Sequence, residues 1–379
     1  MLETLLQEWH QHFGPIDPII IVRSPGRVNI IGEHTDYNEG WVMPGAMSRS
    51  IYILLSASAD QSHHWVACDL KESFNGNEIA PDSLESGWVK YISGTLQLSG
   101  YNTGPLNIIM GGNLPVGAGI SSSSSLVCGL LFAIDQLHQG KMAPKEIALL
   151  GSRVEREVIG LQGGIMDQYA IMLSKAHQVM VLDCRSQTHH YIHAELPGCE
   201  WILLNTKVKH TLIESDYNNR AEECQRAVRI IQNQYPDVKS LRDVDQDILD
   251  SIHLPTVLMK RAQFVMNENE RVQGMIMALE QQDAKNAGQL LQLSHKGLRY
   301  EYEVSCDELN LLADFANGYT GVLGARMMGG GFGGCVICLI EKSVKHSFIP
   351  QVCERYKEAF GFDPEVIDFV LSDGVTLVQ

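Results

Sequence analysis

The spacing of hydrophobic residues along the chain predicts a mixture of helices and strands. Apolar residues recur at helical spacing from Leu2 to Phe13, and this amphipathic helix should end near Gly14-Pro15. The apolar run at 19–22 predicts a strand. Further strands are predicted at 50–58, 106–110, 178–183, 200–204 and 335–341, and helices near 123–138, 144–160, 217–234, 258–282 and 306–315.

The order of these elements favours an α+β fold. Helices and strands do not alternate strictly, as they would in a doubly wound parallel sheet. A length of 379 residues allows two or three domains. Since no linker rich in proline, glycine or serine marks a boundary, we place the division between residues 1–185 and residues 186–379 on the element pattern alone.

A segment of glycines followed by five serines, 117–125, leads directly into the apolar run 126–134. Glycines let the backbone approach a ligand closely, and the free N–H groups of the first helical turn favour a phosphate. The segment is not a Walker A loop, because no lysine follows the glycines. It is therefore either a phosphate-binding loop or a serine-rich surface turn that caps a core helix.

Charged and polar residues are concentrated in one segment near the N-terminus that also holds Gly26 and Gly32. Arg27, Glu33, His34 and Asp36 fall within ten residues of one loop-like segment. Carboxylates and an imidazole can bind several sugar hydroxyls at once, and an arginine can balance a catalytic carboxylate. The segment is either a pocket for a polyol or a surface loop that carries four solvated charges.

A second group of carboxylates follows the serine segment. A predicted helix carries Glu155 and ends in a glycine turn that presents Asp167. A glutamate and a serine hydroxyl would suit Mg²⁺, which needs only one or two protein ligands besides phosphate oxygens. Alternatively, Glu155 faces solvent and Asp167 caps the next helix. A third glycine-dense run, 324–335, requires close backbone approach to a ligand or to a neighbouring loop.

Composition and charge narrow the class of protein. The chain is 45% hydrophobic and 20% charged, and its formal net charge of −16 argues against nucleic-acid or anionic-membrane partners. The first residues lack the layout of a signal peptide, and no apolar run approaches a membrane span in length. We expect a cytoplasmic enzyme or binding protein. The absence of a long apolar helix face or coiled-coil pattern favours a monomer.

Two groups of potential metal ligands have simpler interpretations. Nine scattered cysteines fit reduced thiols better than a disulfide framework. Cys335 and Cys338 lie in a predicted buried strand, where alternate facing would point them to opposite sides. His189, His190 and His193 fall in a polar stretch with no carboxylate at ligand spacing, and they predict an exposed strand or loop.

Three segments together resemble the signature motifs of a known enzyme family. These are G-R-V-N-I-I-G-E-H-T-D-Y-N at 26–38, G-A-G-I-S-S-S-S-S at 117–125 and G-A-R-M-M-G-G-G-F-G-G-C at 324–335. In this order and spacing they resemble the galactokinase branch of the GHMP small-molecule kinases. The resemblance implies a two-domain α+β fold with the active site in the cleft between the domains, and phosphorylation of the anomeric hydroxyl of a galactose-type sugar by ATP.

The resemblance also implies roles for individual residues. Arg27 and Asp167 would form the catalytic pair, and the metal ligands for Mg²⁺ would be Ser123 and Glu155. The sugar would contact Glu33, His34, Asp36, Gly164 and Tyr217. The nucleotide would contact Trp88 at the adenine and Gly117, Ala118, Gly119, Ile120, Ser121, Ser122 and Ser123 at the phosphates.

Some positions depart from the usual galactokinase pattern. Ser124 replaces an alanine, Val127 replaces a glutamate, and Gly163 replaces a cysteine, as in N-acetylgalactosamine kinase relatives. A kinase for N-acetylgalactosamine or arabinose therefore remains an alternative. A non-catalytic sensor of sugar and ATP is a second alternative, although Arg27 and Asp167, which such a protein would have no need to keep, are both present.

Overall fold

The structure is a computed structural model, and it describes residues 1–77, 87–208 and 213–379. The helices are α1 (Leu2–Phe13), α2 (Gly87–Leu98), α3 (Ser122–Leu137), α4 (Pro144–Val154), α5 (Met166–Leu173), α6 (Ile213–Ile231), α7 (Gln246–Ser251), α8 (Thr256–Glu280), α9 (Ala284–Tyr300), α10 (Asp307–Gly318) and α11 (Lys345–Phe360). The strands are β1 (Ile20–Asn29), β2 (Trp41–Val42), β3 (Pro44–Ala57), β4 (His63–Ala67), β5 (Glu72–Gly76), β6 (Leu106–Gly112), β7 (Gln178–Asp183), β8 (Thr188–His193), β9 (Cys199–Asn205), β10 (Val322–Met328), β11 (Cys335–Glu341), β12 (Glu365–Asp368), β13 (Leu371–Ser372) and β14 (Thr376–Leu377).

The first and largest sheet has the strand order β14-β1-β3-β6-β4-β5, and β13 pairs with β3 beside it. Successive residues of β1 face opposite sides, as strand geometry requires. Val22 packs with Trp65 and residues of α2 and α3 on one face, while Ile21 packs with Trp9 of α1 on the other. The sheet is therefore covered on both faces by helices.

The second sheet, β10-β11-β9-β12, has its own helical cover from α6, α8, α10 and α11. Its central strand β11 is buried on both faces. Cys338 packs in the core beneath these helices, whereas Cys335 packs in a core shared with Val28 and Ile120 of the first half of the chain. The predicted opposite facing of the two thiols is confirmed, and the shared core joins the two halves.

The small third sheet has the strand order β2-β7-β8. The histidines 189, 190 and 193 fall on β8, whose burial alternates, so the predicted exposed strand is confirmed. The predicted division at residues 185/186 remains a prediction, and β7 and β8 pair across it. Strands β13 and β14 return from the C-terminal end to the first sheet.

The α+β fold is confirmed, but two local expectations were wrong. The segment around Arg27 is not loop-like, because β1 continues to Asn29 and pairs with β3 on either side of a bulge between Pro25 and Arg27. The predicted helix at 144–160 is two elements, since α4 ends at Val154 and a π-helical turn covers Glu155–Ile159. Within the described ranges, no helix has the length and apolar character needed to cross a membrane.

Candidate active site

A cavity of about 640 Å³ opens between the two halves of the molecule. Four stretches that are remote in sequence form most of its wall: the end of β1 with the loop after it, the loop before α3, the turn before α5, and the glycine run before β11. Single residues of α2, of the π-helical turn after α4 and of α6 complete the wall. The lining residues are Arg27, Glu33, His34, Asp36, Tyr91, Val116, Gly117, Gly119, Ser121, Ser122, Ser123, Glu155, Leu161, Gly163, Gly164, Met166, Asp167, Gln168, Tyr217, Gly329, Gly330, Gly331, Gly333 and Gly334. All three motifs of the sequence analysis thus meet in one cleft.

The predicted catalytic pair is brought together at the centre of the cleft. Arg27 Nε donates to Asp167 Oδ1 at 2.7 Å, and Nη2 donates to Oδ2 at 3.2 Å. Arg27 Nη1 donates to the carbonyl of Gly119 at 2.7 Å. Ser121 Oγ also donates to Asp167 Oδ2. Because three donors hold one carboxylate, its orientation in the cleft is fixed by both the arginine and the serine loop.

The serine loop contributes to the cleft by two different means. Gly117 and Gly119 adopt positive φ angles, and the loop ends at Ser121, a residue in the left-handed conformation just before α3. The side chains of Ala118 and Ile120 are buried in the core and do not line the cavity. These two residues can therefore contact a nucleotide only through their backbone, while the serines present hydroxyls.

The predicted sugar-binding residues Glu33, His34 and Tyr217 line the same cavity as Asp167. Glu33 Oε1 accepts hydrogen bonds from Arg326 Nη1 at 2.9 Å and from the backbone N–H of Gly329 at 3.0 Å. His34 Nδ1 lies 2.8 Å from Tyr37 Oη, and its ring centroid lies 5.4 Å from that of Tyr217 on α6. The buried guanidinium of Arg326 also donates hydrogen bonds to the backbone carbonyls of Asn29 and Ile30.

Burial controls the charge of His34. Burial first, and then the positive charge of Arg220, lower the pKa of His34 from 6.5 to about 3. The imidazole is therefore neutral at pH 7, with Nδ1 facing Tyr37. A hydrogen bond with the backbone of Gly330 opposes the lowered pKa of His34 but does not outweigh burial. A neutral imidazole among the lining residues of the cavity suits a hydrogen bond to a sugar hydroxyl.

The absence of a side chain at Gly164 makes room for the carboxylate of Asp36. A Cβ atom built on Gly164 would clash with the Asp36 carboxylate, so no larger residue fits there unless Asp36 moves. Burial, with a smaller effect from the charge of Asp167, raises the pKa of Asp36 from 3.8 to about 7. The glycine thus allows a carboxyl group to reach the cleft wall close to a second one.

The raised pKa of Asp36 predicts a pH dependence of stability. The folded state holds this proton more tightly than the unfolded chain, so its stabilising effect is full below about pH 4 and is lost as the pH rises through about 7. We expect Asp36→Asn to lose less stability than the wild type between pH 5 and pH 8. Guanidinium titrations at both pH values measure this difference, and equal losses in the two proteins would contradict the assignment.

The surroundings of Glu155, the predicted magnesium ligand, bear on whether the cleft suits Mg²⁺. It lies in the π-helical turn, a rare geometry that often marks functional sites. Burial raises the pKa of Glu155 from 4.5 to about 7, the hydrogen bond from Ser124 opposes this shift, and the Asp167 charge adds to it. A cation near the buried Glu155 and the partly exposed Asp167 would offset the repulsion between their carboxylates. The serine in contact with Glu155 is Ser124, whereas Ser123 lines the same cavity.

The donor set therefore fits a magnesium ion bound mainly by a nucleotide. Across the described ranges, no cluster of three or more histidine, cysteine, aspartate or glutamate side chains could hold a metal ion. Mg²⁺ needs only one or two protein ligands when phosphate oxygens and water complete its octahedron. Glu155 and Ser123 meet that requirement.

Trp88, the residue predicted to contact adenine, is not among the lining residues of the cavity. Its indole Nε1 donates to Glu72 Oε2 on β5 at 2.6 Å, which draws the ring toward the sheet. Among the described residues, Tyr91 of α2 lines the cavity and Trp88 does not. An adenine contact by Trp88 stays a prediction that this geometry does not favour. Tyr91 lies three residues after Trp88 in the sequence, and no motif marked it as a site residue.

The fold and cleft define the class as a GHMP small-molecule kinase. The family model for the galactokinase galactose-binding signature matches residues 7–57, and those for the GHMP kinase N-terminal and C-terminal domains match 89–175 and 275–358. Mevalonate kinase, with a TM-score of 0.67 and 18% identity over 93% of this chain and 99% of its own, shares the fold. These matches confirm the predicted two-domain architecture.

More similar proteins define the particular family. Galactokinase of Thermotoga maritima is 37% identical over 93% of this chain and 99% of its own length, and galactokinase of Roseiflexus sp. is 35% identical over 100% and 98%. The structure of Lactococcus lactis galactokinase complexed with galactose has a TM-score of 0.92 and 30% identity, covering 99% of both chains. The chain belongs to the galactokinase family and is a phosphotransferase.

Proposed function

We propose that this protein transfers the γ-phosphoryl group of ATP to the anomeric hydroxyl of galactose, giving galactose 1-phosphate and ADP. One observation carries the proposal: the carboxylate of Asp167 is held by Arg27 and Ser121 at the junction of a polar pocket and a Gly/Ser loop. The similar Lactococcus lactis enzyme was crystallised with galactose, which supports the choice of sugar.

The residues of the cleft account for the chemistry. In the transfer, a bond forms between the sugar O1 and the γ-phosphorus while the bond from that phosphorus to the bridging oxygen of ADP breaks. The proton of O1 passes to Asp167, and Arg27 stabilises the charge on the transferring group. Glu33, His34 and Asp36 hold the other sugar hydroxyls, so that O1 meets the phosphate in line.

Magnesium belongs to the same proposal. Glu155 and Ser123 would hold the ion, which neutralises phosphate charge when it is bound. The helix terminus at Ser121 and the guanidinium of Arg27 supply local positive potential, and ordinary salt screens the remote negative charges of the chain beyond about 10 Å. A monomeric state and a cytoplasmic location also remain predictions.

One feature bears on the choice of sugar. A Cβ atom built on Gly163 would come no closer than 3.8 Å to Leu161 and 4.0 Å to the Tyr217 hydroxyl, so the wall is open there. An open wall leaves room for a larger substituent on the sugar, as N-acetylgalactosamine carries. N-acetylgalactosamine is for this reason the second candidate substrate.

A coupled ADP-release assay on a panel of monosaccharides tests the proposal. The panel contains galactose, N-acetylgalactosamine, L-arabinose and glucose, and phosphorus NMR of the product identifies the phosphorylated oxygen. We expect the highest kcat/KM with galactose and an anomeric phosphate. A higher kcat/KM with N-acetylgalactosamine than with galactose would make N-acetylgalactosamine the preferred substrate. Sugar binding without ADP release from any sugar would support the non-catalytic sensor instead.

A further inference from the structure

The carboxylate of Glu155 is held on both of its oxygens by side chains from two different helices. Ser124 Oγ on α3 donates to Oε1 at 2.5 Å, and Gln168 Nε2 on α5 donates to Oε2 at 2.8 Å. A carboxylate has about four acceptor positions, so each oxygen keeps capacity for a further partner. The two donors fix the plane of the group without using up its acceptors.

The two donors differ in their relation to the cleft, because Gln168 belongs to the lining of the cavity and Ser124 does not. Ser124 is 1% exposed and is absent from the cavity wall, so it reaches Glu155 from behind. Gln168 is 2% exposed and directly follows Asp167 in the chain. The contact of Gln168 therefore ties the orientation of Glu155 to the turn that carries Asp167.

We propose that Ser124 and Gln168 are positioning residues that aim the Glu155 carboxylate at a divalent cation in the cleft. The inference rests on the proposed function, in which Glu155 meets magnesium. It also gives a role to the buried hydroxyl of Ser124, which an alanine at this position would lack.

The physical effect of the clamp is to preorganise a flexible side chain. A free glutamate loses rotamer freedom when it binds a cation, and a clamped one has already lost it on folding. Loss of the Ser124 hydroxyl leaves Oε1 of a carboxylate that is only 6% exposed without its donor. The group would then turn to find another partner and would no longer face the cation site.

The test measures cation binding directly and needs no turnover. In the full-length protein, Mn²⁺ replaces Mg²⁺ as a paramagnetic probe, and its affinity is measured by electron paramagnetic resonance with a non-hydrolysable ATP analogue bound. We expect Ser124→Ala to weaken Mn²⁺ binding about 10-fold, the usual scale for removal of a residue that orients a metal ligand. Binding of the analogue without metal, measured by calorimetry, should change less than about twofold.

A neighbouring buried serine supplies the matched control. Ser125 is also on α3, and its hydroxyl donates to the backbone carbonyl of Ser24 at 3.0 Å, away from Glu155. Ser125→Ala removes a buried serine hydroxyl from the same helix that has no contact with Glu155, so it shows the general effect of losing such a hydroxyl. Its affinity for Mn²⁺ should stay at the wild-type value.

Each result decides the inference. It is supported if Ser124→Ala weakens Mn²⁺ binding and Ser125→Ala does not. It is overturned if both variants weaken binding equally, if Ser124→Ala binds Mn²⁺ as the wild type does, or if Mn²⁺ does not bind the wild-type nucleotide complex. Should Ser124→Ala fail to fold, Gln168→Met removes the other donor at similar volume and decides by the same measurement. Absence of ADP release from every sugar overturns the proposed function and leaves this measurement intact.

Discussion

Asp167→Asn is expected to reduce kcat by about 10²–10⁴-fold while the protein stays folded and binds sugar and ATP. The asparagine keeps the size of the side chain but cannot accept the proton of the sugar hydroxyl. It also loses the charge that pairs with Arg27 at 2.7 Å. Steady-state kinetics of ADP release measure the loss, and calorimetry with galactose measures the retained binding.

A control separates this effect from general damage to an ion pair. Asp314 accepts two hydrogen bonds from Arg299 at 3.1 and 2.9 Å and does not line the cavity. Asp314→Asn therefore changes an aspartate–arginine contact at an exposed position outside the cleft and should leave kcat within about twofold, since exposed pairs contribute little. A kcat for Asp167→Asn within tenfold of the wild type would refute the catalytic assignment.

Arg326→Met is expected to lower the free energy of unfolding by about 3–5 kcal/mol. Arg326 is fully buried beneath the sugar pocket, where it pairs with Glu33 at 2.9 Å and donates to three backbone carbonyls. Methionine fills the space, but among the described residues it leaves the Glu33 carboxylate with only the N–H of Gly329 as a donor. Guanidinium unfolding curves measure the loss, and galactose affinity should fall because Glu33 lines the cleft.

A second substitution identifies the cause of that loss. Adding Glu33→Gln to Arg326→Met removes the uncompensated charge, so it should restore part of the stability but not the galactose affinity. A loss below 1 kcal/mol for Arg326→Met alone would show that the buried ion pair does not hold the sugar pocket in place.

The parts of the site that were predictable are those whose chemistry is local in the chain. A phosphate loop needs glycines and serines directly before a helix, and 117–125 followed by α3 supplies both within one segment. The crowding of Glu33, His34 and Asp36 within four residues likewise marked a polar pocket. Long elements such as α8 and β11 were predicted for the same reason, because burial imposes a helical period on a helix and a continuous apolar run on a strand that is buried on both faces.

The parts that were not predictable depend on contacts between remote segments. Arg326 lies 293 residues from Glu33, and nothing in its glycine-rich surroundings marked it as the partner of the sugar loop. The indole of Trp88 donates a hydrogen bond to Glu72 on β5, and it is Tyr91 that lines the cleft. The π-helical turn at Glu155 was not predicted either, because the hydrophobic spacing of its sequence is compatible with a continuous α-helix.

By itself, the sequence determined which chemical groups this protein has and the order in which the chain presents them: a sugar-type pocket, a Gly/Ser loop and two carboxylates. Only the tertiary structure decided which donor meets which acceptor. Ser121 contacts Asp167 and Ser124 contacts Glu155, although five successive serines are indistinguishable as a run of letters. Hydrogen bonds act over about 3 Å, so they distinguish positions that differ only in the direction in which a helix turns each side chain.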